Sequence, residues 1–448
     1  MVNVEFAFLT LGLVIFAGYF SLSLFKKTKI SEIIILLIIG LFIGPISSLA
    51  GFGFLGPDEL LLFENFLPFF ASFALIMILF EGGLQLNFFK TLKALPESFI
   101  FTLVVFLTNM ILTIGVLWLL GAAGLLPFNL LLAIFIAAVI GGTSSAVIIP
   151  IIKNTSAKEE TKTLLGLESA LTDALCVITA IAVGEIFLIG SVSIETVFGG
   201  ILANFSTAAI LGFIVGILWL KILAFLQGRQ YEYLITFAAL LMLYSLVQVF
   251  GGNGAIAVLI FGIVLGNSED ITQMLRITKR SVDTNIKSFQ SEISFLVKTF
   301  FFVYLGLLFK LEFLNPAVIV ISLAIIIIIF ISRYLVSSLL KKINPIYTMD
   351  QMLISFMSAR GLAAAVLVSL PISMGLDKAV PLVFSTATMS QLSAIAFIVI
   401  FGSNVLTTIG IFITENGKPV TSIKEERNEM LTEIKATDIK INKLKAKK

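Results

Sequence analysis

Long apolar runs separated by short polar interruptions recur along the chain, and each regular run is roughly 17–25 residues, the length a helix needs to cross a bilayer. They predict about thirteen transmembrane helices, near 6–24, 30–50, 67–86, 99–120, 130–152, 163–188, 197–224, 233–250, 254–265, 295–309, 317–340, 352–374 and 381–413. The ninth and tenth of these are short. After residue 413 the pattern stops. Residues 414–448 are rich in Lys and Glu, with sparse apolar positions such as Ile434, Ile439, Ile441 and Leu444, which predicts a short charged cytoplasmic tail behind a transmembrane domain over 1–413.

The loops carry charge in alternation. Lys26, Lys27 and Lys29 fall in one loop, and Lys90 and Lys93, then Lys153, Lys158 and Lys162, follow in every second one. Lys221 and Arg229, then Arg276, Lys279, Arg280 and Lys287, then Lys341 and Lys342, continue the series. The excess of basic residues on the cytoplasmic side of membrane proteins predicts an outside amino terminus and an inside carboxyl end, in a cell membrane. The first residues lack the basic region and cleavage site of a signal peptide, so 6–24 is expected to be a genuine span.

Thirteen spans with a lone seventh allow two inverted six-helix halves, in which the fifth span matches the twelfth. Both carry small residues in mid-membrane, GGTSSAV at 141–147 and SARGLAAAV at 358–366. Interrupted spans at matching positions of inverted halves point to a transporter's binding site. The fold class expected is therefore an all-α polytopic membrane protein with two inverted six-helix repeats and crossed discontinuous helices.

Composition narrows the chemistry. With 58% hydrophobic and 13% charged residues and 42 Phe, the chain is no soluble domain. It has no histidine, which removes His-dependent catalysis, and its single cysteine, Cys176, excludes an intramolecular disulfide. There is no Cys/His set for zinc or iron, no lipidation signal, and nothing that points to nucleic acid. The net charge of +3 discriminates little.

The stretch GLESALTDALCVITAIAVGE at 166–185 then stands out, because a carboxylate deep in a membrane-length helix is a functional-site hypothesis by default. Ser169 and Asp173 are four apart and share a helix face, where a hydroxyl and a carboxylate can hold a small cation or a proton. Glu168 points elsewhere and needs its own partner. Counting about 1.5 Å per residue from the inner ends of the spans places Arg333 at the level of Glu168, and Thr143, Ser144 and Arg360 near the deeper level of Asp173. Glu81 lies near the inner end of the third span, where it can line the approach. GFIVG at 212–216 fits a close helix contact and is a weak dimer signal.

The ordered set FEGGL at 80–84, the break at 141–147, ESALTD at 168–173, FFVYLGL at 301–307, Arg333 and ARG at 359–361 resembles the monovalent cation/proton antiporters, in the NhaP-like sodium/proton exchanger branch. The resemblance spans nearly the whole membrane region. It implies a homodimer with static dimerisation helices around 6–86 and 197–309, and a mobile core around 99–188 and 317–413 that works as an elevator. It makes Asp173 the carboxylate shared by Na+ and the proton. Ser169, Thr143 and Glu81 fall on ligating positions, and Ser144 and Thr172 complete the candidate cation/proton-binding set. Glu168 and Arg333 fall on a structural ion pair, and Arg360 on a cation that offsets the negative end of a broken helix. Two departures stand out: Thr172-Asp173 where electroneutral relatives have Asn-Asp, and Thr143-Ser144-Ser145 where relatives often have Thr-Asp-Pro.

The expected activity is exchange of Na+, or Li+, for protons, electroneutral with one carboxylate per cycle, with no cofactor and no enzymatic chemistry. K+/H+ exchange on the same fold and a cation channel are the alternatives. A serine hydrolase lacks its histidine, and a sensor that binds ions without moving them is the remaining class.

Overall fold

A computed structural model describes residues 4–28, 30–46, 69–70, 72–74, 76–77, 79–84, 88–124, 129–153, 155–189, 194–226, 231–274, 284–307, 309 and 314–415. These residues are helical with short connections, and no strand occurs among them. In chain order the helices are α1 (Val4–Thr28), α2 (Glu32–Leu41) with a π-helical turn Phe42–Ile46, α3 (Ser72–Leu84), α4 (Phe88–Ala122), α5 (Leu130–Val139), α6 (Ser145–Lys153) and α7 (Glu159–Ile189). They continue as α8 (Ile194–Leu226), α9 (Glu232–Val249), α10 (Gly254–Gly266), α11 (Ser268–Met274), α12 (Thr284–Leu307) and α13 (Pro316–Ile343). A turn at Pro345–Tyr347 leads to α14 (Gln351–Phe356), α15 (Leu362–Leu367), α16 (Leu370–Ser373), α17 (Leu376–Ala379) and α18 (Thr386–Glu415).

Six helices among the described residues are long and apolar enough to cross a membrane, and α10 with α11, bent by 78°, makes a seventh. Shorter apolar helices, including Glu32–Ile46, Ser72–Leu84 and Leu130–Val139, account for other apolar runs of the sequence. The ninth span is short because the chain bends sharply after Gly266. The last begins at Thr386 rather than near 381: residues 381–383 form a turn, with the Val383 and Phe384 N–H groups both donating to the Val380 carbonyl at 3.0 Å, and the Ser385 hydroxyl accepts the Thr388 N–H at 3.1 Å to start α18 there. The loop 47–68, the basic positions Lys29, Arg229, Arg276, Lys279 and Arg280, and residues 416–448 of the tail lie outside the described residues.

Two spans are interrupted. The fifth separates into α5 and α6 around 140–144, and the twelfth into α14 and α15 around 357–361. Each helix end frees backbone groups that have no partner on their own helix, and within a bilayer those groups need partners from protein. Here they find them across the gap, as described below.

Packing sorts the helices into two sets. Helices α4 to α7, α13 to α15 and α18 pack on one another: α13 lies against α4 and α18, and α7 against α5, α6 and α15. Helices α1, α2 and α12 pack together, as do α8, α9 and α10, and α9 lies against α12, which joins these two groups into the second set. The sets meet where α2 touches α18 and where α12 touches α15. Gly212, in the GFIVG stretch, takes its close contact inside the chain: a Cβ there would stand 2.5 Å from the Ala257 carbonyl oxygen of α10. That glycine lets α8 and α10 approach, so the motif needs no second subunit to explain it.

Candidate functional site

The site is where the two interruptions meet. The Ser144 N–H donates to the Ala359 carbonyl at 2.9 Å, joining the first break to the second. Gly361 stands so close that a Cβ there would be 2.1 Å from Ser144 Oγ and 2.4 Å from Ser144 Cβ.

Arg360, 2% exposed, sits between the ends of the half-helices. Its Nε donates to the Ile140 carbonyl at 2.7 Å and its Nη2 to the Gly141 carbonyl at 3.3 Å, just past the end of α5, while Nη1 reaches the Ser358 carbonyl at 3.0 Å. A guanidinium thus covers the partial negative charge at the carboxyl end of α5. Arg360 itself lies at the second break, yet two of its three side-chain bonds go to the first.

Asp173 meets the opposite end. It accepts the Ser145 backbone N–H at 3.1 Å and the Ser145 hydroxyl at 2.8 Å, both on Oδ2. Ser145 opens α6, so the carboxylate faces the positive end of a half-helix, a position that favours negative charge. Asp173 is 6% exposed, and no Lys or Arg of the described residues forms an ion pair with it.

Glu168 and Arg333 form their own bidentate pair, Nη1 to Oε1 at 3.1 Å and Nη2 to Oε2 at 2.9 Å, with both residues buried. Arg333 Nε also donates to the Ile354 carbonyl of α14 at 2.7 Å, and the Thr143 hydroxyl donates to Glu168 Oε1 at 3.0 Å. This network ties α7, α13, α14 and the first break together and keeps Arg333 away from Asp173.

The remaining sequence candidates are placed as follows. Thr143 bonds to Glu168, and its hydroxyl lies 3.3 Å from that of Thr172. Thr172 accepts the Thr143 N–H at 3.2 Å and holds the first break to α7. Ser169, on the turn below Asp173, donates its hydroxyl to the Gly166 carbonyl at 3.0 Å, which leaves its oxygen lone pairs as its remaining capacity. Ser144 contributes backbone at the crossing. Glu81 is half-buried on α3, whose Gly83 packs against Leu259 and Gly262 of α10.

Several residues that periodicity did not single out complete the site. Ser145 is one. Asn109 of α4 donates to the Gly141 carbonyl at 3.1 Å and accepts from Ser332 at 3.3 Å. On α18, Asn404 donates to the Arg360 carbonyl at 2.7 Å, Ser403 accepts the Arg360 N–H at 3.0 Å, and Thr407 donates to the Phe356 carbonyl at 2.9 Å. The polar run SNVLTT inside an otherwise apolar span was the available signal. The Ser358 hydroxyl, buried at the second break, has no hydrogen-bond partner among the described residues.

The oxygens that meet at Asp173 are its own carboxylate and the Ser145 hydroxyl, hard donors suited to a proton or a small monovalent cation. No group of three or more His, Cys, Asp or Glu side chains that could hold a metal ion occurs among the described residues.

Comparison with known proteins agrees with this architecture. The Na(+)/H(+) antiporter 1 of Methanocaldococcus jannaschii is 26% identical over 328 residues, 68% of this chain and 69% of that protein. The K(+)/H(+) antiporter NhaP of Alkalimonas amylolytica is 26% identical over 354 residues, covering 76% of this chain but only 56% of the relative. The solved structure of the sodium proton antiporter MjNhaP1 from Methanocaldococcus jannaschii at pH 8 superposes with a TM-score of 0.75 over 92% of this chain and 99% of that one, at 19% identity, a likeness of fold. Residues 12–415 match the family described as sodium/hydrogen exchanger, transmembrane. With that match along nearly its whole described length, the chain belongs to the sodium/hydrogen exchanger family of membrane antiporters.

Proposed function

We propose that this chain exchanges a monovalent cation for a proton across a cell membrane, with Asp173 as the carboxylate both ligands share. The observation that carries the reading is the environment of Asp173: nearly buried, facing the positive end of α6, and in no ion pair with an arginine of the described residues, where Arg333 is held by Glu168 and Arg360 by backbone carbonyls. A carboxylate with a permanent cation partner cannot take a cation and a proton in turn. This one can.

Exchange then follows from a restriction on movement. With a proton or a cation bound, the Asp173 site is neutral and can pass an apolar barrier; ionised and empty, it cannot do so cheaply. Ser145, and the lone pairs of Ser169, Thr172 and Thr143, supply oxygens for the ion as the site rearranges around it, with Ser144 and Glu81 in the approach. The division of contacts into two helix sets supports a mobile core around 99–188 and 317–413 moving against static helices around 6–86 and 197–309, which in a homodimer would carry the subunit contact. One exchanging carboxylate supports electroneutral stoichiometry, since Thr172 adds no charge. The amino terminus is proposed to lie outside and the carboxyl end in the cytoplasm.

Na+ is the proposed cation, in line with the name of the Methanocaldococcus relative. K+ is the second reading, because a relative named for K+/H+ exchange matches a larger share of this chain. The test is proton flux in proteoliposomes driven by Na+, Li+ or K+ in turn, with the membrane potential clamped. Asp173→Asn is expected to abolish cation-dependent proton flux while the purified protein keeps its size and thermal midpoint; normal flux in that variant refutes the assignment.

A further inference from the structure

Ser31 stands where α2 begins, at the position whose side chain ordinarily accepts one of the first N–H groups of its own helix. It makes no such bond. Its hydroxyl donates instead across the seam between the two helix sets, to Asn404 Oδ1 of α18 at 2.8 Å, and its backbone N–H donates to the Thr408 hydroxyl at 3.4 Å. All three residues are buried, so no water stands ready to replace either bond while the seam is closed.

Both ends of this contact are anchored. On the α2 side the next residue, Glu32, pairs with Lys298 of α12, and its carbonyl accepts the Ser21 hydroxyl of α1 at 2.8 Å. Ser31 therefore rests on a footing that joins α1, α2 and α12. On the α18 side the Asn404 amide nitrogen donates to the Arg360 carbonyl at 2.7 Å and to the Ile400 carbonyl at 2.8 Å, and the Thr408 hydroxyl donates to the Asn404 carbonyl at 2.9 Å. Asn404 thus gives its oxygen to one helix set and its nitrogen to the second break of the other. Nearby along the seam, Phe309 meets Phe397 of α18 with ring centroids 4.3 Å apart. Apolar contact is non-directional and can slide, whereas a hydrogen bond holds one register. A displacement of one set against the other by a single helical turn, about 5.4 Å, breaks both Ser31 bonds.

We propose that Ser31 is a positioning residue of the transport cycle: through Asn404 it latches the second break to α2, and so weights the arrangement described here against the one reached when the core moves. Its role in transport rests on the exchange reading above. The latch itself does not, and the two are measured separately.

The latch is read without transport, by deuterium uptake of the purified full chain. Ser31→Ala removes the hydroxyl and keeps the backbone N–H. Thr408→Val, which removes the other acceptor at nearly constant shape, is the second variant if the first folds poorly. Either is expected to raise uptake rates at least about threefold at the start of α2, over 404–408, and also over 362–367 of α15, which faces α12 across the same seam. Ser31→Thr, with the hydroxyl kept, is expected to stay near wild type. No rise, or a rise confined to α2 and α18 as a purely local role would give, overturns the latch.

Transport is then measured in membrane vesicles of both orientations, as the half-saturating cation concentration from each face. Apparent affinity from a face scales with the fraction of protein in the arrangement open to that face. Ser31→Ala is therefore expected to change the ratio of the two half-saturating concentrations by at least about threefold, and Ser31→Thr to leave it near wild type. Equal shifts on both faces, or none, overturn the role in transport. Wild-type vesicles without cation-dependent proton flux would sink the exchange reading, while deuterium uptake would still decide the latch.

Discussion

The Glu168–Arg333 pair gives the sharpest stability prediction. Glu168→Gln keeps the shape of the side chain but removes the charge that neutralises a guanidinium only 2% exposed, and one of its new N–H groups must face either Arg333 Nη2 or the Thr143 hydroxyl. Two ionic contacts of 3.1 and 2.9 Å become neutral or are lost. Removing one partner of a buried pair typically costs about 3–5 kcal/mol. That is a large part of the roughly 5–15 kcal/mol that holds a typical domain folded. Arg333→Met removes the orphaned cation while filling a similar volume, so the double variant is expected to recover much of what Glu168→Gln loses. The assay is the thermal midpoint of the purified protein in detergent, read for wild type, both single variants and the double. The expected order is wild type, then the double, then either single variant. A Glu168→Gln protein as stable as wild type, or a double variant as unstable as the two losses added, refutes the argument that this pair is held together by mutual neutralisation.

Two further predictions concern the crossing. Ser145→Ala removes the hydroxyl donor to Asp173 but keeps the backbone donor, and a hydrogen bond to a charged group is worth about 1.5–3 kcal/mol, so the half-saturating cation concentration is expected to change by tenfold or more while assembly is retained; an unchanged value in flux assays would mean that this contact has no part in ion exchange. Gly361→Ala drives a methyl into Ser144, whose Cβ cannot rotate away, and overpacking of this kind costs about 1–3 kcal/mol. Ser144→Gly in the same chain is expected to restore the thermal midpoint in part, and no rescue would show that the contact is not the cause.

Much of this arrangement was legible from the residues alone, because charge in a membrane is expensive and must be accounted for. Counting helical rise placed Arg333 level with Glu168, where the structure shows them bonded, and placed Asp173 near the small-residue run of the fifth span. The particular partner was not legible. Helical periodicity relates Ser169 to Asp173 within α7, but it cannot be carried through a non-helical break, so nothing in the spacing said that Ser145, rather than Thr143 or Ser144, would reach the carboxylate. For the same reason the reach of Arg360 to the end of α5 depended on how two breaks cross. The polar face of α18 was hidden by treating a 33-residue apolar run as uniform, although Ser403, Asn404 and Thr407 break it at helical spacing. Gly212 illustrates a different limit: a small-residue motif announces a close approach without saying whether the neighbour belongs to the same chain.

The central claim, one carboxylate serving two ligands in turn, is tested most directly by measuring how the half-saturating cation concentration of transport depends on pH. If proton and cation compete for Asp173, that concentration rises toward about tenfold per pH unit as the medium is acidified through the range in which the proton occupies the site, while the maximal rate at saturating cation stays constant. A half-saturating concentration indifferent to pH, with acid lowering only the maximal rate, would place the proton elsewhere and contradict the account.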